Sequence, residues 1–381
     1  MTQVYLDHNA TSKLHPAVLE AMLPYWQAEG NPASIHRHGR WMRQAVETAR
    51  EQVAEFTGAH PSEVIFTAGG TEANNLAIKG FALDQTTPAA LLVGSMEHDS
   101  VLKSAHSLST LGWHITELAA NQEGQYTLEK LKATLENQTY GFCSLMLANN
   151  ETGVLQDIPG LADIAHYYDV VFHTDAVQAI GKIDLNFQAL GVSLMTLSAH
   201  KMGGPIGVGA LLKKPHVALK PLLDGGAHEQ GLRAGTENVP LIVGFGKMCV
   251  LAAAQRAARL AHFKSKQQHL ETRLATVAGV KILAQDAPRL PNTTLLAVEH
   301  IDGEMLIMAL DKKGISAASG SACGNLAAGG SHVMQAMQVP EPWASNTVRI
   351  SVGWNTTNED CDAFIHALQD VMAESKQMSW G

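Results

Sequence analysis

Short apolar runs alternate with longer amphipathic stretches over much of this chain, and this alternation constrains its fold more than any other feature. The amphipathic stretches 71–83, 127–136 and 157–169 are typical of helices. Strands joined by such helices lie parallel, so the pattern predicts a largely parallel α/β sheet with helices on both faces. The run 207–214 follows only a short glycine-rich turn, and we therefore expect it to pair antiparallel. The predicted strands cover residues 63–70, 90–96, 140–148, 170–176, 194–200 and 207–214.

The pattern changes near residue 250. Residues 249–277 carry one long helical pattern without a breaker, which can connect two domains. Strand patterns follow near 293–299 and 347–354, and a last helical pattern covers 358–377. A chain of 381 residues is long enough for two domains and a large buried core. We therefore expect a smaller α+β domain at the C-terminal end.

The charge balance and the N-terminal sequence limit the classes of partner. Lys and Arg together number 27 and Asp and Glu 36, so the formal net charge is −9. This balance argues against nucleic acid or an anionic membrane as the main partner. The N-terminus has neither a basic segment nor an apolar stretch after it, so no secretion signal is predicted. Because no apolar run approaches the length of a membrane span either, we expect a cytoplasmic protein.

The four cysteines form no C-x-x-C pair, so neither a disulfide framework nor a structural zinc site is predicted. The His-x-His pair in "SIHRHG" has no H-E-x-x-H motif or carboxylate triad beside it, and we expect no metal site. Cys143, Cys249 and Cys361 lie among apolar or helix-forming residues and are predicted to be small buried hydrophobes. Cys323 differs, because the small residues of "ASGSACGN" surround it. This composition predicts a thiol on a flexible loop.

The stretch "FTAGGTEANNLAIKG" is a candidate phosphate site. An apolar strand ends there, two glycines turn the chain, and Thr71 is predicted to cap the helix that follows. Glu72 favours the first helical turn. The free N–H groups at such a helix start can bind an anion. Taken alone, the stretch fits an ordinary capped helix better than a phosphate site.

Two further strand ends carry polar residues. Asp175 follows the strand in "VVFHTDAVQ", at the edge where open α/β sheets bind ligands, and Gln178 can face the same crevice. Ser198, His200 and Lys201 end the next strand, before a glycine-rich loop that suits close approach of a ligand. Singly, the aspartate fits a cap and the lysine a surface charge. Together, a phosphate cradle, an acidic partner for a pyridinium nitrogen and a Schiff-base lysine predict pyridoxal 5′-phosphate.

The sequence resembles the NifS/IscS-type cysteine desulfurases, which belong to the class V aminotransferase group of fold-type I pyridoxal phosphate enzymes. The resemblance implies a mostly parallel mixed sheet with helices on both faces and a smaller α+β C-terminal domain. It also implies a large cofactor-binding domain over 15–255 and a small domain, formed by 1–14 and 256–381, that carries the Cys323 loop. The matching motifs are "YLDHNAT", "GNPASIHRHG", "FTAGGTEANNLAIKG", "MEHDSVL", "ANNETGVLQDI", "HTDAVQAIGKI", "LSAHKMGGPIGVGAL", "GGAHEQGLRAGTEN" and "SGSACG".

The resemblance implies a role for each matching residue. Lys201 would form the Schiff base, Asp175 would pair with the pyridine nitrogen, and His98 would stack on the ring. Arg349 would clamp the substrate carboxylate with its planar guanidinium, assisted by Asn31. The remaining cofactor contacts would be Gln178 at the ring hydroxyl, Asn150 near that hydroxyl and the substrate carboxylate, Gly70, Thr71, Ser198 and His200 at the phosphate, and Thr236 at the phosphate of a partner subunit.

The implied activity is removal of sulfur from L-cysteine. Lys201 would take the α-proton, the Cys323 thiolate would attack the substrate sulfur and become a persulfide, and L-alanine would leave. His98 is a candidate proton acceptor for the thiol. The resemblance also implies a homodimer and a sulfur-acceptor protein, such as an iron–sulfur scaffold or a thiolation enzyme.

Other activities stay open at this point. A selenocysteine lyase would use the same pocket, whereas a transaminase would have no need of Cys323. A non-catalytic sulfur-relay member is a third alternative. The complete set of Lys201, Asp175, His98, Cys323 and Arg349 argues against it.

The sequence departs from the family pattern in three places. Trp354 stands where members often carry Arg, and we expect it to alter the surface near Arg349 or a docking face. The stretch after Cys323 is rich in Ala and Gly, but its length resembles that of the long-loop members, so we expect a mobile loop. The short stretch after the last helix favours a dedicated acceptor, in tRNA thiolation, DNA phosphorothioation or a cluster operon, over a general iron–sulfur role.

Overall fold

The computed structural model describes residues 3–319 and 330–378. In this part of the chain the strands are β1 Val4–Tyr5, β2 Val64–Thr67, β3 Ala90–Gly94, β4 His114–Leu118, β5 Phe142–Ser144, β6 Val171–Asp175, β7 Leu194–Ser198, β8 Gly209–Lys213, β9 Val280–Ile282, β10 Thr293–Val298, β11 Ile315–Ser316, β12 Ala318–Ser319 and β13 Thr347–Ser351. The α-helices are α1 Pro16–Trp26, α2 Arg37–Thr57, α3 Gly70–Asp84, α4 Asp99–Ser107, α5 Leu128–Asn137, α6 Ile158–Tyr167, α7 Val239–Ala254, α8 Arg256–Leu274, α9 Gly303–Lys312, α10 His332–Ala336 and α11 Asn358–Met378.

A seven-stranded sheet with the order β2-β8-β7-β6-β5-β3-β4 carries the site described below. The strands from β7 to β4 in this order pair parallel. β8 pairs antiparallel with both β2 and β7. The predicted parallel sheet is therefore confirmed, and so is the antiparallel strand expected at 207–214.

The two faces of this sheet are covered by separate hydrophobic cores. Successive residues of one strand belong to different cores: Leu91 and Val93 pack with α3 and α4, whereas Leu92 packs with the core that includes α2, α6 and α7. This alternation follows from the two-residue period of a strand. Because helices cover both faces of the sheet, every residue of β3 and of β7 is buried.

A four-stranded antiparallel sheet, in the order β12-β13-β10-β9, and the short parallel pair β1-β11 form the rest of the strand structure that is described. Their core contains side chains of α8, α9 and α11 together with Val4 and Leu6 from the N-terminal segment. The N-terminal residues thus pack with the C-terminal part of the chain. The division into 15–255 and 1–14 with 256–381 stays a prediction.

The prediction of a single helix over 249–277 is wrong, because the chain bends at Gln255. α7 ends at Ala254, α8 begins at Arg256, and their axes differ by 79°. The two helices pack in different hydrophobic cores. Phe245 of α7 is buried in the larger core, whereas Phe263 of α8 is buried in the core of the C-terminal part of the chain. No single helix of the described chain is long and apolar enough to cross a bilayer, and α7 and α8 reach that composition only when the bent pair is taken together.

Candidate active site

A cavity lies at the carboxyl ends of β6 and β7, where open α/β sheets bind ligands. It brings together every cofactor-contacting residue predicted from the sequence except Thr236, and it includes His98. Its lining residues are Gly70, Thr71, Asn74, His98, Ser100, Met146, Ala148, Asn150, Asp175, Val177, Gln178, Ser198, His200 and Lys201.

Asp175 is the last residue of β6, and its carboxylate is held on both oxygens. Asn74 Nδ2 donates to Oδ2 at 2.7 Å, and the Val177 backbone N–H donates to Oδ1 at 2.9 Å. Asp175 is only 7% exposed, so these donors replace water around a buried carboxylate. Sequence reasoning missed Asn74, although it follows Thr71 by three positions and so lies on the same face of α3.

Lys201 lies just beyond β7, at the end of a short 3₁₀ turn, Ala199–Lys201. Its Nζ donates to the carbonyl oxygens of Asn9 and Ala10, at 2.7 and 2.8 Å. The "YLDHNAT" segment therefore forms the wall against which the lysine rests. Because adjacent parallel strands end at the same edge, Asp175 and Lys201 meet in one cavity.

A buried lysine that sequence reasoning missed supports Gln178. Lys182 Nζ donates to Gln178 Oε1 at 2.8 Å and to Asn9 Oδ1 at 2.7 Å. Gln178 Nε2 in turn donates to the Asn9 carbonyl oxygen at 3.0 Å. Burial lowers the pKa of Lys182 well below its ordinary value, and the charges of Lys201 and Arg349 lower it further. Gln178 and Lys182 lie in a turn outside the helices, so no helical spacing in the sequence signalled this contact.

His98 caps the N-terminus of α4. Its Nδ1 accepts the Ser100 backbone N–H at 3.1 Å and lies 2.8 Å from Ser100 Oγ. Burial lowers the pKa of His98, and the charge of Lys201 acts in the same direction, while Asp175 opposes the shift. The imidazole is therefore mainly neutral at pH 7.

The start of α3 and the end of β7 form the candidate phosphate cradle. The structure corrects the cap prediction: α3 begins at Gly70, with Gly69 as its cap, so Thr71 is the second helical residue. A glycine offers no side chain to bond the first N–H groups, which leaves them for an anion. A Cβ on Gly70 would lie 2.8 Å from Val177 Cγ2, so the chain approaches closely here. Thr71 and Ser198 also line the cavity, and a Cβ on Gly70 would lie 3.7 Å from Ser198 Cβ.

His200 completes this end of the cavity. Its Nδ1 lies 3.1 Å from Thr11 Oγ1. Burial lowers the pKa of His200 to about 4, and the charges of Lys201 and Lys182 contribute. His200 is thus a neutral hydrogen-bonding group at pH 7. Helix N–H groups, two hydroxyls and an imidazole suit a phosphate, while Asp175 and Lys201 suit the ring of pyridoxal phosphate, so the residues present fit this cofactor.

Arg349 of β13 lies beside Asn150 at the cavity wall. Its Nη1 donates to the Asn150 carbonyl oxygen at 2.9 Å, and its Nη2 donates to Asp7 Oδ1 at 2.5 Å. The arginine side chain is 5% exposed, and its Asp7 partner is 19% exposed. Asp7 was missed from the sequence because it pairs with a residue 342 positions away.

Four of the predicted site residues are not among the described residues that line this cavity, and Arg349 is one of them, reaching the lining only through Asn150. Asn31 is exposed, and its Oδ1 accepts the Ala33 backbone N–H at 2.9 Å. Thr236 is also exposed. Cys323 lies outside the described residues, but both flanks of its segment are described. On one side Ala318 pairs with Arg349, and on the other Ser331 Oγ donates to Glu151 Oε2 at 2.5 Å, next to Asn150.

The remaining cysteines and Trp354 have structural contacts. Cys143, Cys249 and Cys361 are fully buried, which confirms the prediction that they are core residues. Trp354 Nε1 donates to the Lys13 carbonyl oxygen at 3.3 Å, and its ring centroid lies 5.1 Å from that of His15. Trp354 thus packs on the segment that leads into α1.

Comparisons with known proteins agree with this geometry. A cysteine desulfurase, IscS, of Dictyoglomus turgidum is 39% identical over 380 residues, covering 99% of this chain and 96% of that protein. The X-ray structure of a NifS-like protein from Rickettsia africae is 34% identical with a TM-score of 0.89, covering 98% of this chain and all of that one. A structure of SspA in complex with cysteine is 31% identical with a TM-score of 0.80, covering 92% and 98% of the two chains.

These similarities extend over nearly the whole chain. The fold-type I prediction is confirmed by the sheet order and by the match to NifS-like structures. The aminotransferase class-V family matches residues 4–364. The chain therefore belongs to the class-V aminotransferase family.

Proposed function

We propose that this chain is a cysteine desulfurase that removes sulfur from L-cysteine, releases L-alanine and holds the sulfur as a persulfide on Cys323. The observation that carries the proposal is the meeting of Lys201 and Asp175 in one cavity with His98. The activity class is supported by relatives of nearly full length that are cysteine desulfurases. The cofactor of this family is pyridoxal 5′-phosphate, and the cavity residues fit it. L-Cysteine as the substrate agrees with the cysteine bound in the SspA structure.

Pyridoxal phosphate, when bound, would supply an aldehyde for the substrate amine and an acceptor for electrons from the α-carbon of an amino acid. Asp175 would hold a proton at the pyridine nitrogen, and Asn74 and Val177 keep its carboxylate in place. Gln178, which Lys182 supports, would contact the ring hydroxyl. The N-terminal N–H groups of α3, with Thr71, Ser198 and His200, would hold the phosphate.

Lys201 and Arg349 act on the substrate. The Lys201 amine would take the α-proton of the substrate, and the carbonyl oxygens of Asn9 and Ala10 hold this amine in the cavity. Arg349 offers its guanidinium to the substrate carboxylate beside Asn150. These two contacts orient the α-carbon toward Lys201.

The transfer of sulfur to Cys323 requires no added oxidant, because the bonds that break and form account for all its electrons. The Cys323 thiolate forms an S–S bond with the substrate sulfur as the substrate C–S bond breaks, and the electron pair of that bond remains on carbon. The Cys323 thiol gives up its proton before the attack, and protonation of the carbon completes L-alanine. His98 would stack on the cofactor ring, with its Nδ1 engaged by Ser100. The flanks of the Cys323 segment support this role, because Ala318 pairs with Arg349 and Ser331 contacts Glu151.

The homodimer is part of the proposal. Thr236 is exposed and is not among the residues that line the cavity of its own chain. Such a position suits the phosphate contact with a partner subunit that the resemblance implies. A sulfur-acceptor protein and a cytoplasmic location also belong to the proposal, as does the assistance of Asn31 to Arg349.

The test is the stoichiometry of products. Purified holoenzyme is incubated with L-cysteine and a reductant, and sulfide and L-alanine are quantified for the wild type, Cys323→Ala and the control Cys361→Ala. Equimolar products from the wild type and the control, with none from Cys323→Ala, support the proposal. Activity of Cys323→Ala equal to that of the wild type overturns the persulfide role. A parallel assay with L-selenocysteine distinguishes a selenocysteine lyase, which would release alanine from that substrate alone.

A further inference from the structure

Ser100 and Asn74 connect two side chains that line the cavity, His98 and Asp175. Asn74 Nδ2 donates to Asp175 Oδ2 at 2.7 Å and to Ser100 Oγ at 2.8 Å. Ser100 Oγ also lies 2.8 Å from His98 Nδ1. Asn74 is 1% exposed and Ser100 is 8% exposed, so water competes little with these contacts. A continuous hydrogen-bonded chain therefore runs from Asp175 to His98.

The direction of each hydrogen bond follows from the groups at its ends. An ionised carboxylate only accepts, so Asn74 must turn its NH₂ group toward Asp175, and the second hydrogen of that group goes to Ser100 Oγ. The Ser100 hydroxyl then has its own hydrogen left, which it donates to His98 Nδ1. The Ser100 backbone N–H also donates to this nitrogen, at 3.1 Å. With two donors on Nδ1, the His98 proton resides on Nε2.

We propose that Ser100 is a positioning residue that fixes His98 and Asp175 relative to each other through Asn74, and that its hydroxyl keeps His98 in the neutral Nε2–H form. A proton on Nδ1 would face two donors, so the Ser100 hydroxyl would have to turn away and the chain to Asn74 would be disturbed. This inference rests on the proposed function for the roles of His98 and Asp175. It goes beyond that function because it identifies Ser100 as the residue that fixes the position of His98 relative to Asp175.

The charges around His98 come from four elements. Asp175 of β6 and Asp99 of α4 favour its protonated form, whereas Lys201 beyond β7 and His332 of α10 oppose it. Substitution of Ser100 leaves these four groups in place. A change in the protonation of His98 in such a variant therefore reports on the lost hydroxyl.

Ser104 provides a matched control. It lies one turn further along α4, is 3% exposed, and is not among the lining residues of the cavity. Ser104→Ala thus removes a buried hydroxyl from the same helix without touching the chain from Asp175 to His98. Ser100→Thr retains the hydroxyl and serves as the rescue variant.

The first measurement is a histidine NMR titration of the holoenzyme without substrate, with the His98 signal assigned by its absence in His98→Gln. In Ser100→Ala the neutral form of His98 loses a donor, so its pKa should rise, while Ser104→Ala and Ser100→Thr should match the wild type. An unchanged His98 titration in Ser100→Ala overturns the inference, whatever the activity. This readout needs no turnover, so it is independent of a failure of the proposed function.

The second measurement is steady-state kinetics with L-cysteine. Ser100 does not need to touch the substrate for its role, so Ser100→Ala should lower kcat about tenfold with little change in KM, as expected for loss of a hydrogen bond that positions a residue at the cofactor. Equal loss of kcat in Ser104→Ala would indicate a general effect on α4 and contradict the inference. Combining Ser100→Ala with Asn74→Ala should lower kcat by less than the product of the two single effects, because both break one chain.

Discussion

Glu151 accepts a hydrogen bond from Ser331 Oγ at 2.5 Å, and the two residues are 180 positions apart in the chain. Glu151 follows Asn150 of the cavity wall, whereas Ser331 caps α10 after the segment that contains Cys323. Burial raises the pKa of Glu151 to about 7, although the hydrogen bond from Ser331 and the charge of Arg349 oppose this shift. A carboxyl group that titrates near neutral pH thus holds the C-terminal flank of the Cys323 segment.

Glu151→Gln should change the pH dependence of stability. The folded-state pKa lies above the ordinary value of 4.5, so the wild type has the contribution of Glu151 below pH 4.5 and loses it as the pH rises through about 7. The neutral amide can still accept from Ser331 and has no such dependence. Relative to the wild type, the variant should therefore gain about 3 kcal/mol of unfolding free energy between pH 4.5 and pH 8.5.

Urea unfolding of both proteins at pH 4.5, 6 and 8.5 measures this difference. Glu51→Gln, at an exposed position on α2, is the control for loss of a glutamate charge. If Glu151→Gln and the wild type show the same pH dependence, the buried carboxyl group is not responsible.

Arg349→Lys should weaken substrate binding while leaving the fold intact. The lysine retains the positive charge but lacks the planar fork that reaches Asn150 and Asp7 together. We expect KM for L-cysteine to rise about tenfold or more, since a two-bond contact with the carboxylate becomes a single one. Arg273→Lys, at a partly exposed pair with Asp362, should leave KM unchanged. A wild-type KM in Arg349→Lys would exclude Arg349 as the carboxylate ligand.

Asp175 and Lys201 could be placed in one site from the sequence because both follow apolar strands. The carboxyl ends of adjacent parallel strands share an edge, so the local pattern already implies their meeting. The same reasoning located Ser198 and His200. The core cysteines were predictable in the same way, from their apolar neighbours.

The supporting contacts could not be predicted, because they join residues that are distant in the sequence. Asn74 reaches Asp175 across 101 positions, and Asp7 reaches Arg349 across 342. No local periodicity encodes such pairs. The break at Gln255 was hidden for another reason: the helical pattern continues through it, and only the presence of two separate cores requires the chain to turn there.

Lys182→Met should weaken the binding of pyridoxal phosphate. The methionine fills a similar volume but removes both hydrogen bonds from Lys182 Nζ. The buried Gln178 Oε1 then loses its donor, while Asn9 Oδ1 keeps the hydrogen bond from Asn292 Nδ2 at 3.1 Å. We expect the dissociation constant for pyridoxal phosphate to rise about tenfold. Equilibrium dialysis followed by absorbance of the bound cofactor measures it. Lys264→Met, at an exposed position on α8, should have no effect, and equal affinities for the two variants would contradict the role of Lys182.

Gly70→Ala should also weaken the binding of pyridoxal phosphate, because the new side chain would collide with Val177. A second substitution, at Val177, should remove this collision. The new Cβ would lie 2.8 Å from Val177 Cγ2, and the stiff valine side chain cannot turn away easily. Val177 must then shift, and its backbone N–H holds Asp175 Oδ1 at 2.9 Å, so the aspartate should move as well.

We expect pyridoxal phosphate to bind about tenfold more weakly to Gly70→Ala, as for loss of about 1.4 kcal/mol of contact. Val177→Ala removes Cγ2, so the double variant Gly70→Ala/Val177→Ala should bind the cofactor more tightly than Gly70→Ala alone, with Val177→Ala alone as the reference for loss of a cavity-lining side chain. Affinities of all four proteins, measured by the same dialysis, separate this contact from a direct effect on the α3 N-terminus. If the double variant binds no better than Gly70→Ala, the glycine acts by admitting the phosphate to the helix start and not by sparing Val177.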